Sequence, residues 1–301
     1  MRKILTIILL LPLFSLAQQE SYYSLYRFNM QVINPAYAGA EADNMLSLLN
    51  RTQWAALEDS PRTMALAFSS KRENNVGLGL SVVTDKIFIE RQTFAYVDFS
   101  YKLDLTEDTR VFLGLKGGGN FYRSSSLNLE DYNTGLDPAQ KEFSRFNPNV
   151  GAGLYLQHEK YWLSLSIPRL FNVKRDEDIS IGAKDRVHSY LGGGVNFNLG
   201  NDLYLKPNVM FRKVAALPLS ADLGAFFSIQ NRMDFGMSYR TNAAFSFMAY
   251  INVIDGIDVG YAYETPTDNA LSGQNIKTHE IYFRLRIGEN AQTQGKEQAI
   301  E

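Results

Sequence analysis

From residue 44 onward the chain repeats one unit: a stretch of about ten residues that alternates apolar with polar or small side chains, closed by a turn signal. In Leu203 to Arg212 one face carries Leu203, Leu205, Pro207, Val209 and Phe211, and the other Tyr204, Lys206, Asn208, Met210 and Arg212. In Phe245 to Val253 the apolar face is Phe245, Phe247, Ala249, Ile251 and Val253. In His279 to Ile287 it is Ile281, Phe283, Leu285 and Ile287, opposite Glu280, Tyr282, Arg284 and Arg286. Period two maintained this long predicts strands with one greasy and one wet face. Read throughout, the pattern predicts about 14 strands, from Asn44–Trp54 to Lys277–Ile287, including Phe146–Gln157, Tyr161–Phe171 and Val187–Leu199.

The connections sort by parity. Even-numbered predicted strands are followed by short polar turns such as Lys71 to Asn75, Gly200-Asn201-Asp202, Gln230-Asn231 and Asp255-Gly256. Odd-numbered ones are followed by connections of mixed length, three of them long: Ser124 to Arg145, Asn172 to Arg186 and Thr265 to Ile276. An outer-membrane barrel sorts its loops this way, with short periplasmic turns and longer extracellular loops, whereas a secreted β-sandwich or propeller has no reason to. The even strand count then places both termini in the periplasm.

The N-terminus supplies the compartment. Met1-Arg2-Lys3 is basic, Ile4 to Phe14 is an apolar run of 11, and Ser15-Leu16-Ala17 puts small residues before Gln18, the pattern of a cleaved signal peptide over residues 1–17. No later segment is long and apolar enough for a membrane-spanning helix. The expected organisation is all-β: a signal peptide over 1–17, a pre-barrel periplasmic or plug segment over 18–43, a transmembrane antiparallel β-barrel over 44–287, and a polar disordered tail over 288–301.

Composition narrows the chemistry. Thirty Lys+Arg against 32 Asp+Glu give a net charge of −2, which argues against nucleic acid as a partner. With no cysteine and three scattered histidines, neither a metal site nor a nucleophilic triad is expected, no cofactor is implied, and the expectation is a non-enzyme. Inward positions carry both signs: Asp98, Lys102, Lys116, Lys206, Arg212, Asp222, Asp234, Arg240, Asp258, Glu264, Glu280, Arg284 and Arg286. They are expected to pair across a narrow lumen, with a selectivity lining or docking surface as the alternative. The triplets Gly117-Gly118-Gly119 and Gly192-Gly193-Gly194 lie inside alternating strands and lack the Lys-Ser/Thr and helix of a phosphate loop, so close packing or strand bending is expected. Tyr161 and Trp162 read as part of an interfacial aromatic girdle. Tyr22 to Gly39 has no period that would bury it in lipid, contains Asn34-Pro35 as a turn initiator, and needs a role outside the bilayer.

That stretch also carries a resemblance. Tyr26 to Gly39 (YRFNMQVINPAYAG) resembles the N-terminal signature of the PorP/SprF family of type IX secretion system membrane proteins. Arg51-Thr52-Gln53-Trp54 with Ser60-Pro61-Arg62-Thr63, Gly77-Leu78-Gly79-Leu80, Leu113-Gly114-Leu115-Lys116, Pro148 to Leu154, Gly236 to Arg240 and Gly260 to Tyr263 are similar to later family blocks in the same order. The resemblance implies an outer-membrane barrel tied to gliding motility and to secretion or surface retention of adhesins. The implied partners are a secreted surface protein bearing a type IX C-terminal domain, a periplasmic peptidoglycan-associated protein in one branch, and outer-membrane lipid. By position, Phe28, Asn29, Asn34, Pro35, Tyr37 and Gly39 are candidates for a plug or periplasmic contact, and Arg51, Gln53, Trp54 and Pro61 for a partner contact near the first extracellular turn. For both sets the alternative is that they lock the barrel's own first strand and lumen. A passive or hydrophobic-solute channel is the alternative function.

Overall fold

In the computed structural model the described residues are 22–57, 59–88, 90–124, 143–171, 187–215, 217–267 and 276–288. The proposed signal peptide, the tail beyond 288 and most of the three long connections lie outside them. Fifteen strands form one antiparallel sheet: β1 Asn44–Thr52, β2 Arg62–Lys71, β3 Val76–Ile87, β4 Glu90–Asp104, β5 Thr109–Ser124, β6 Phe143–His158, β7 Tyr161–Arg169, β8 His188–Val195, β9 Phe197–Gly200, β10 Leu203–Val214, β11 Ser220–Ile229, β12 Met233–Arg240, β13 Ala244–Ile254, β14 Ile257–Pro266 and β15 Thr278–Ile287. Neighbours in sequence pair throughout except at β8 and β9, which lie one after the other along β10, and β1 pairs with β15 from Asn44↔Ile287 to Thr52↔His279. The sheet is therefore a closed barrel, which leaves no edge unpaired at membrane depth.

The two faces separate as the alternation requires. Leu66, Leu80, Phe99, Leu165, Phe247 and Ile281 are exposed outward, while Asp98, Lys116, Asp222, Asp258 and Glu280 are buried inward. An outward apolar surface with a polar interior is the arrangement of a barrel whose solvent is lipid. The short turns use the residues read as turn signals: Asn74, Asn75, Asn201, Asp202, Gln230, Asn231 and Gly256 all take positive φ, the region that two-residue hairpin turns need. All of these turns lie at the end where β1 begins and β15 stops; the strands flanking the long connections end at the other.

Two readings change. The single strand expected over Val187–Leu199 is broken at Asn196, and the pairing with β10 shifts register between Leu203 and Tyr204. The interruption comes from the partner strand: β10 pairing stops at Asn208↔Gly194 and resumes at Leu205↔Phe197, skipping Pro207, which has no N–H to give the ladder, while Asn196 continues the pairing toward β7 by donating its N–H to Lys160 O (2.7 Å) and its side chain to Glu159 O (2.9 Å). Trp162, assigned to the aromatic girdle, points inward and is buried beside Tyr155; one position earlier Tyr161 faces out, since successive strand residues take opposite faces. Of the two placements expected for the pre-barrel segment, periplasm or plug, residues 22–41 take the second: they occupy the lumen, where Tyr23, Leu25, Phe28, Met30 and Tyr37 join Tyr155, Phe226, Tyr250 and Tyr282 in the apolar core. Helix is confined to this segment among the described residues, as three single turns at Tyr26–Phe28, Met30–Ile33 and Pro35–Tyr37.

Candidate functional site

The lumenal segment descends the barrel once. Tyr22 lies under Arg240 (3.6 Å from guanidinium carbon to ring centroid) and Arg212 (4.6 Å), at the end carrying the long connections. Phe28 stacks on Tyr250 at mid-depth (3.9 Å between centroids) and meets Phe226 edge-on (5.4 Å). Gly39 ends the descent against Gly77 and Lys71, near the end where β1 begins. Without regular structure, a buried segment must find partners for its polar backbone groups among side chains of the wall.

On the wall from β12 through β15 to β1, charge supplies them. Glu280 accepts the backbone N–H groups of Ser24 (2.8 Å) and Leu25 (3.0 Å) and pairs with Arg51. Arg51 also pairs with Glu264 (2.8 Å), which takes the Ser24 hydroxyl (3.0 Å) and Arg240 (3.1 Å). Lower down, Asp258 holds Arg284 (2.8 Å) and Arg286 (3.0 Å), and Arg284 reaches Glu41 of the segment (2.6 Å). The Tyr282 hydroxyl donates to Phe28 O (2.5 Å). Each buried charge here has an opposite partner, the condition under which such groups survive removal from water.

On the facing wall, from β2 to β7, shape and neutral hydrogen bonds do most of the work. The Gln31 amide donates to Phe68 O (2.8 Å) and Asp98 (3.2 Å), whose other oxygen pairs with Lys116 (3.0 Å). Asn34 donates to Leu154 O (3.0 Å) and Ser164 Oγ (2.8 Å), while its carbonyl oxygen caps the Ala36 N–H (2.9 Å). Ser166 and Ser100 donate to Ile33 O (2.8 Å) and Ala38 O (2.6 Å). Glycine makes the close approach possible: a Cβ on Gly114 would lie 2.1 Å from Ala36 N, and one on Gly153 2.0 Å from Asn34 Oδ1. A cavity of about 60 Å³ remains between the segment and this wall, beside Val32, Phe94, Lys116 and Arg169. It is well below the ~150 Å³ that admits a benzene ring.

Of the residues singled out from sequence, Phe28, Asn29, Asn34, Pro35 and Tyr37 are buried in this segment, and Gly39 is half-buried at its lower end. Arg51 is buried in the charged wall. Gln53, Trp54 and Pro61 are half-buried at the first long-end connection, where Gln53 N–H donates to Pro61 O (2.9 Å) and Trp54 takes a positive φ. Most of the inward charges pair with an opposite charge, among them Asp98 with Lys116, Lys206 with Asp234 and Asp222 with Arg240, while Arg212 lies over the Tyr22 ring. Reading the sequence did not single out Ser24, Gln31 or the inward glycines Gly114 and Gly153 as contacts of the segment. The signal for the glycines was present: Gly114 lies between Phe112 and Lys116 on the inward face of β5, and Gly153 follows Gly151 and precedes Tyr155 on that of β6. Both glycine triplets lie inside strands; Gly118 is packed under Ala95 O and Gly194 against the Trp162 indole, while Gly117 has open space beside it. Among the described residues no three His, Asp or Glu side chains are grouped as metal ligands.

A closed antiparallel barrel with a lipid-facing exterior and an interior filled by its own N-terminal segment defines an outer-membrane-type β-barrel. Its sequence belongs to the family described as type IX secretion system membrane protein PorP/SprF, matched over residues 15–285. No curated protein matches it. Among solved structures it is similar to the Ralstonia pickettii toluene transporter TbuX, with a TM-score of 0.50, 10% identity, and 85% of this chain and 92% of that chain covered. It is also similar to the Acinetobacter baumannii outer membrane protein Omp33, with a TM-score of 0.47, 8% identity, and 83% and 100% covered. At such identities the likeness is one of fold.

Proposed function

We propose that this protein is a non-enzymatic docking barrel of the type IX secretion system that holds a secreted surface protein through that protein's C-terminal domain. The observation that carries the reading is the occupied lumen: residues 22–41 are wedged among wall side chains from Tyr22 at one end to Gly39 at the other, where a solute pore would need a passage. With the interior committed to the protein's own chain, recognition falls to the rims. At the long-connection rim, Gln53, Trp54 and Pro61 sit beside exposed Leu57, an aromatic and apolar group of the kind that anchors interfaces. In this reading Phe28, Asn29, Asn34, Pro35, Tyr37, Gly39 and Arg51 position the segment rather than touch the partner. A peptidoglycan-associated partner would meet the short turns at the other rim. The test is extraction of the tagged protein from outer membranes in mild detergent, with mass spectrometry of co-purifying chains and conductance in planar bilayers. A near-stoichiometric secreted or periplasmic chain and no conductance is the expected result. The barrel alone, conducting solutes, would overturn the reading in favour of a channel.

A further inference from the structure

The direction in which the segment crosses the lumen fixes more than its occupancy. Arg240, which covers Tyr22, is the last residue of β12, and Arg212 is third from the end of β10. Ser24, next along, is held by Glu264 near the end of β14 and Glu280 near the start of β15. All four wall residues lie toward the end that carries the long connections. The chain then passes Gln31 at mid-depth and Asn34 below it, and Gly39 reaches the opposite end, where β1 starts at Asn44. Both ends of the sequence were expected on the short-turn side; β15 does end there, yet Tyr22 stands at the other.

We infer that the amino terminus of the mature protein emerges at the extracellular mouth of the barrel, on the face open to a secreted partner. The inference uses two sequence readings, cleavage after Ala17 and loop-length sorting that makes the long-connection end extracellular; it does not depend on any partner binding. Cleavage there leaves only residues 18–21 ahead of Tyr22. Four residues extend at most about 14 Å, whereas the apolar band of such a barrel is about 25 Å tall. The mature N-terminus therefore cannot return to the periplasmic side. The lumen is in any case already filled by the downstream segment. The terminal amine is thus grouped with the extracellular connections that include Gln53 and Trp54, and it is out of reach of any periplasmic component.

The chain has no cysteine, so single cysteines report position without background. Three variants of the full-length precursor suffice: Glu20→Cys ahead of the segment, Ala56→Cys in the exposed β1–β2 connection, and Glu107→Cys in the exposed β4–β5 turn at the opposite end. Intact cells are treated with a membrane-impermeant maleimide, with and without outer-membrane permeabilisation, and the mass of the purified chain gives its first residue. Glu20→Cys and Ala56→Cys are expected to label fully in intact cells, and Glu107→Cys to gain at least about tenfold on permeabilisation. Labelling of Glu20→Cys only after permeabilisation, with Ala56→Cys labelled throughout, places the terminus in the periplasm and overturns the inference. So does failure of Glu20→Cys to label in either state. Reversal of the two control cysteines overturns the assigned orientation, and a first residue other than Gln18 overturns the premise on cleavage.

Discussion

The two walls of the lumen hold one segment by different physics. From β12 through β15 to β1 the grip is a chain of buried ion pairs in which Glu280, Glu264 and Asp258 each bind two or more groups. From β2 to β7 it is close fit and mostly neutral hydrogen bonds, with Gly114 and Gly153 leaving no room for a side chain and Asn34 and Gln31 donating to wall carbonyls. The first wall should tolerate paired replacement but not the loss of one charge, because an orphaned buried ion is what costs energy. The second should tolerate loss of a single hydrogen bond better than any gain of volume, since backbone cannot move aside as a side chain can.

The largest expected effect tests the charged wall. Glu280→Ala leaves two buried backbone N–H groups without an acceptor and Arg51 with Glu264 as its one remaining carboxylate, and should lower stability by about 3 kcal/mol in denaturant titrations in micelles, followed by tryptophan emission. Adding Arg51→Met should recover part of the loss; a double variant no better than the sum of the two singles would break the account. Gly114→Val should cost about 3 kcal/mol by overlap with Ala36, while Gly117→Val in the same strand, where nothing lies within 4 Å of an added Cβ, should be near neutral. Equal losses at the two positions would mean that strand propensity rather than fit is at issue. Asn34→Ala should cost about 1–3 kcal/mol, because Leu154 O, Ser164 and Ala36 N lose a partner. Smallest of all, Arg232→Ala removes an exposed pair with Asp255 (3.7 Å) and should stay within about 0.5 kcal/mol. A loss above 1 kcal/mol there would show that ion pairing outside the lumen also counts.

Much of the fold was legible because a strand in lipid carries its own label. Leu203 to Arg212 and His279 to Ile287 declare their faces residue by residue, and turns such as Gln230-Asn231 declare their φ angles. The break at Asn196 was hidden, since Val187–Leu199 alternates well enough to pass for one strand; the gap in its pairing lies opposite Pro207, on the next strand along the chain. The site was legible in composition but not in connectivity. The inward charges were readable as a paired set, yet nothing local says that Glu280 binds Ser24, 256 residues away. The segment lacks a period because each of its residues answers to a different part of the wall, which surrounds it on every side.

Arg51 and Glu280 are directly opposite each other in the β1–β15 register, at the seam where the first strand meets the last. The carboxylate that joins that seam also holds the N–H groups of Ser24 and Leu25. Ring closure and the seating of the segment are therefore coupled through one carboxylate: a cylinder emptied of residues 22–41 would keep Arg51 beside Glu280 but leave the rest of that carboxylate's hydrogen-bonding capacity without its partners.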